Sequence, residues 1–97
     1  MVGNQKILLK FIEINNNVSW YYISNHYTLS ENFIREFKNK VNWSRITVRQ
    51  KLSEDFIREF QDKVDWWYIS SCKILSKKFQ KEFKNKIVWT LYNHYNH

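Results

Sequence analysis

The sequence predicts an all-α chain, a short α-solenoid of about four 23-residue helix–turn–helix repeats. Three observations lead there. First, Leu29-Ser30-Glu31-Asn32-Phe33-Ile34-Arg35-Glu36-Phe37 recurs as Leu52-Ser53-Glu54-Asp55-Phe56-Ile57-Arg58-Glu59-Phe60 and again as Leu75-Ser76-Lys77-Lys78-Phe79-Gln80-Lys81-Glu82-Phe83. Second, the apolar spacing inside the motif is helical. Leu52, Phe56, Phe60 and Val64 are four residues apart, and Ile57 widens the stripe. Third, the chain has one Gly and no Pro, so it lacks the turn residues of hairpin-rich β architectures. A leucine-rich repeat needs a Leu-x-x-Leu-x-Leu strand pattern that these Phe positions do not supply. A compact helical bundle is the remaining rival.

Taken in order, the repeats span 6–28, 29–51, 52–74 and 75–97, within a single domain of 97 residues. The first is degenerate but keeps the framework. Trp20 aligns with Trp43, Trp66 and Trp89, Val18 with Val41, Val64 and Ile87, and Glu13 with Glu36, Glu59 and Glu82. Ser30, Ser53 and Ser76 stand at N-cap positions, and Leu29 with Ile34, like Leu52 with Ile57, forms a hydrophobic staple. The helix after each serine is expected to run about ten residues. Glu36/Lys40, Glu59/Lys63 and Glu82/Lys86 then pair one turn apart. A shorter second helix begins at each Trp, capped by Ser19, Asn42 and Asp65, with Val88 departing from the pattern. A unit of this kind hides its apolar face only against a neighbour.

The stretch Leu52 to Trp66, Leu-Ser-Glu-Asp-Phe-Ile-Arg-Glu-Phe-Gln-Asp-Lys-Val-Asp-Trp, resembles tandem repeats in proteins of giant DNA viruses of amoebae, the mimivirus-like group. The likeness covers Leu29 to His97 well and Lys6 to Thr28 poorly. It implies origin and repeat architecture, and no activity comes with it. If the chain is viral, the expected location is the host cytoplasm. The apolar stretch Ile7-Leu8-Leu9 is too short for a signal peptide, so an intracellular, non-secreted protein is expected. No run reaches the length of a membrane span.

Little in the sequence suggests catalysis, and the expectation is a non-enzymatic protein with no cofactor, no metal and no implied small-molecule substrate. The single Cys72 has no recurring base beside it and aligns with His26, Arg49 and Tyr95. His94 and His97 share a helical spacing but lack acidic or Cys neighbours in sequence. The serines sit at caps. The Trp ladder invites a base-stacking reading, but its recurrence beside Val and Ile points to packing between repeats. The recurrent Glu row reads as a salt-bridged face, each carboxylate held by its own Lys.

The net charge is +7, distributed over the repeats as +1, +4, −2 and +4. A groove that tracks phosphates needs a continuous basic stripe, and Glu54, Asp55, Glu59, Asp62 and Asp65 interrupt it. Basic clusters remain at Lys77, Lys78, Lys81 and Lys84 and at Arg45 and Arg49. Positions just after each Trp vary and include large aromatics, as in solenoid binding surfaces. Tyr21, Tyr22, Arg45, Arg49, Trp67 and Tyr68 are therefore the candidate partner-binding residues, with packing against a neighbouring unit as the other reading of Tyr21 and Trp67. The expected function is a protein–protein interaction module, whose partner is another protein or a second copy of the chain. End-to-end or side-to-side self-association is expected, because the last repeat ends in Tyr92 and Tyr95 and caps less well than the first. The alternative is a basic nucleic-acid-binding protein.

Overall fold

A computed structural model describes residues 2–95, with side chains from Gln5 onward. The described residues form eight α-helices and no strand. They are α1 (Val2–Ile14), α2 (Trp20–His26), α3 (Glu31–Glu36), α4 (Trp43–Arg49), α5 (Glu54–Glu59), α6 (Trp66–Cys72), α7 (Lys77–Glu82) and α8 (Trp89–Tyr95). The architecture is a short helical repeat. The chain divides into two compact units, residues 1–50 and 51–97, and each contains two repeats.

The expected caps are formed. Ser30, Ser53 and Ser76 hold extended backbone and accept from the N–H groups of Phe33, Phe56 and Phe79. Ser19, Asn42 and Asp65 do the same for Tyr22, Arg45 and both Trp67 and Tyr68. The first helices differ from expectation in length. Each α-helical stretch after a Ser cap is six residues, not ten. The helix stops at Phe37, Phe60 and Phe83, whose carbonyls each accept from two N–H groups of the following turn (Lys40 and Val41, Lys63 and Val64, Lys86 and Ile87). That extra turn keeps Val41, Val64 and Ile87 on the buried side, so the apolar spacing runs on past the helix.

In unit one, α2 lies against α4, and Leu8, Ile23, Leu29, Phe33, Ile34, Val41 and Ile46 are buried. In unit two, α6 lies against α8, and Phe56, Ile57, Phe60, Val64, Ile69, Leu75, Phe79, Phe83, Ile87 and Tyr92 are buried. Ser24 and Ser70, completely buried, link one repeat to the next. Each hydroxyl accepts the backbone N–H that opens the next second helix, Asn42 to Ser24 at 3.0 Å and Val88 to Ser70 at 2.8 Å. Ser70 in turn donates to the Trp66 carbonyl at 2.7 Å, as Thr47 does to Trp43. Only a small hydroxyl side chain satisfies both groups in a space this tight.

Candidate interaction surfaces

The six candidate residues fall on the outer side of the second helices. Tyr21, Tyr22 and Trp67 are each more than half exposed, while Arg45 and Tyr68 are half-buried and Arg49 is exposed. In unit one the structure joins them across repeats. The Arg45 guanidinium lies over the Tyr21 ring, 5.8 Å from its centroid, and Arg49 Nε donates to Asn25 Oδ1 at 3.1 Å. Tyr22 packs on His26 at 4.2 Å and edge-on to Tyr27 at 6.3 Å. In unit two Trp67 meets the edge of Tyr68 at 5.1 Å. The outer side of α2 and α4 is thus an aromatic and cationic surface whose side chains contact one another.

Trp20 and Trp66 pack between repeats, half-buried and not in the deep core, whereas Trp89 is exposed. Trp20 lies on Phe37 at 5.1 Å, and Trp66 on Phe83 at 5.3 Å and Phe79 at 6.2 Å. Each indole N–H of Trp43, Trp66 and Trp89 donates at 2.9 Å to a carbonyl five residues upstream, fastening the turn of its own repeat. Trp66 thus fastens its own repeat through the N–H edge of the ring and meets the next repeat with its face.

Glu82 is wired differently from its expected i, i+4 pair with Lys86. Arg58 makes a two-pronged contact with Glu82 of the following repeat, both distances 2.7 Å, and a third bond to Asp55 at 2.6 Å. Lys86 faces Asp62 at 3.8 Å. The short helix is the reason: it ends at Glu82, so Lys86 lies beyond it in the turn and no longer shares a helical face with that carboxylate. The Arg58 hydrogen bonds hold the Glu82 carboxyl below its ordinary range, and Glu82 pushes the Arg58 guanidinium further above its own. Burial lowers the Lys73 ammonium.

Other sequence candidates are placed as follows. Cys72 is exposed, and His94 is exposed on α8 with its ring against Tyr95 at 4.7 Å. His97 lies outside the described residues. No group of three or more His, Cys, Asp or Glu suited to a metal ion occurs among the described residues. Among those residues no helix is long and apolar enough to cross a membrane. Tyr92, read from sequence as part of a poorly capped end, is buried. It takes the place of Ile23, Ile46 and Ile69, and its hydroxyl accepts from the Leu75 N–H at 3.3 Å. Tyr95 is exposed.

Two features escaped the sequence reading. The buried hydroxyls recur at 24, 47 and 70, and that spacing was available to find them. Gln50 is the other. Buried, it donates to the carbonyls of Ser24 and Tyr27 and accepts from the Leu29 N–H at 2.9 Å, tying the linker of the first repeat. Tyr27 and Lys73 occupy the aligned positions, so no recurrence signalled it. Compared with family models, curated proteins and solved structures, the chain matches none of them.

Proposed function

We propose that this chain is a non-enzymatic helical-repeat module that binds another protein, a second copy included, through the outer faces of its second helices. The observation that carries this reading is the exposure of Tyr21, Tyr22 and Trp67 at 55%, 54% and 53%, on helices whose inward residues Ile23 and Ile69 are at most 3% exposed. Large aromatics held open beside a rigid core are the side chains that dominate interface energetics. Their exposure on a repeating framework suits recognition. The mimivirus-like origin is part of the same proposal and rests on the repeat unit at Leu52 to Trp66.

The test compares the parent with Tyr21→Ser, Tyr22→Ser, Trp67→Ser as a triple variant of unchanged thermal melt. A partner captured by the parent is purified and titrated against both. Loss of affinity by at least about tenfold in the triple variant supports the reading; equal binding overturns it. A nucleic-acid reading draws on the net charge of +7. It predicts salt-dependent binding of an oligonucleotide by the parent. The Arg58 and Lys86 contacts with Glu82, Asp55 and Asp62 weigh against it, because they engage basic groups that phosphates would need.

A further inference from the structure

Within each unit, the joint between repeats follows one rule. The serine cap of the later repeat is met by an acceptor from upstream, Glu54 in the third repeat or Gln5 just ahead of the first. Glu54 takes the Ser76 N–H at 2.8 Å and its hydroxyl at 2.7 Å; Gln5 Oε1 takes the Ser30 N–H at 3.2 Å and its hydroxyl at 3.0 Å. The earlier repeat also supplies a Trp to the later Phe, as Trp20 to Phe37 and Trp66 to Phe83. In unit two it adds Arg58 for Glu82.

The fourth repeat presents the same side with altered chemistry. Lys77, Gln80, Lys81, Lys84 and Trp89 line an open groove of about 240 Å³. They align with Glu54, Ile57, Arg58, Gln61 and Trp66. Lys81 keeps the cation of Arg58 and Trp89 keeps the indole, whereas Lys77 replaces an acceptor with a group that only donates. A serine-capped repeat would bring its backbone N–H to a donor, with no acceptor there to receive it. Among the described residues no carboxylate lies within ion-pair distance of the Lys77, Lys81 or Lys84 ammonium.

We infer that this groove receives an acidic, aromatic helix from outside the four repeats. The register follows from the joint below it. The occupant places a carboxylate where Ser76 stands, aromatic rings where Phe79 and Phe83 stand, and a second carboxylate where Glu82 stands, which is an Asp-x-x-Phe-x-x-Glu-Phe pattern. Its acids meet Lys77 and Lys81, and its rings meet Trp89. A second copy of this chain does not fit. Its first repeat offers Ile7, Lys10, Glu13 and Ile14 at those four positions, so it lacks the capping acid and sets Lys10 where a ring belongs. A nucleic acid fits less well than a helix, because three lysines around one indole make a compact site beside the acidic third repeat. The inference goes beyond the proposed function and uses none of its residues.

The probe is a stapled helical peptide of about fifteen residues carrying that pattern, its helicity checked by circular dichroism. The full chain is titrated with it and with a neutral version bearing Ser and Gln in place of the two acids. The expected result is binding that weakens by at least about tenfold with the neutral peptide, in the exposed double variant Lys77→Glu, Lys81→Glu, and in Trp89→Ala. It also weakens in about 0.5 M salt. The Tyr21, Tyr22, Trp67 triple variant binds the peptide as the parent does, which separates this result from the test of the proposed function. No binding, equal binding of the neutral peptide, or insensitivity to the lysine reversal overturns the inference. So does tighter binding of an oligonucleotide of about twelve nucleotides at the same salt.

Discussion

The first repeat and the third repeat begin from the same 23-residue plan and end as different objects. In the third, Ser53 starts α5, Phe60 stops it after six residues, and Phe56 is completely buried. In the first, Ile7 stands where the serine belongs, Lys10 where Phe56 belongs and Ile14 where Phe60 belongs. The helix α1 therefore runs on for 13 residues, and Ile7, Phe11 and Ile14 are 71%, 52% and 69% exposed. A repeat thus depends on two small decisions: a hydroxyl that fixes where the helix starts, and a pair of Phe side chains that fix where it turns. Without them the same length of chain stays helical but buries less.

Removing one Phe ring from each repeat breaks this comparison most sharply. Phe56→Ala is expected to cost about 3–5 kcal/mol, because the ring is fully enclosed and its cavity cannot collapse. Phe11→Ala in α1 should stay within about 0.5–1 kcal/mol. Chemical denaturation of both variants measures the difference, and equal losses would mean that α1 is as tightly packed as α5.

The serine cap comes next. Ser76→Ala removes the acceptor of the Phe79 N–H and the donor to Glu54, and should cost about 1–2 kcal/mol. Ile7→Ser sharpens the comparison from the other side. If the serine alone decides the start, amide exchange should speed up ahead of position 7 in this variant, with little change in the melting temperature.

The smallest effect is electrostatic and has a defined sign. The Glu82 carboxyl is held below its ordinary value by the Arg58 hydrogen bonds. Its contribution is fully present above the unfolded carboxylate pKa and is lost as pH falls through the folded value. Glu82→Gln should therefore flatten the decline of melting temperature between about pH 5 and about pH 3. A parallel decline in parent and variant would show that the two-pronged contact adds nothing in solution, as many exposed pairs do not.

Much of this was legible from the residues. The caps at Ser30, Ser53 and Ser76 and at Ser19, Asn42 and Asp65 read directly, because a cap is a local event between neighbours in sequence. The exposure of Tyr21 and Trp67 was not legible, because variation between repeats fits packing against a neighbouring unit as well as an open surface. The six-residue length of α3, α5 and α7 was not legible, because an apolar stripe spaced by four continues through the turn after Phe37, Phe60 and Phe83. Nor was the Arg58 to Glu82 contact, since the alternative partner Lys86 is closer in sequence and only the turn takes it away.

The amino-acid order by itself therefore determined the repeat, the helical class, the start of most helices and which positions vary, all of which depend on local chemistry and periodicity. Tertiary structure decided where each helix ends, which carboxylate meets which cation, and which indole face stays open. Those outcomes depend on what the next repeat brings within reach, and distance along the chain does not encode that.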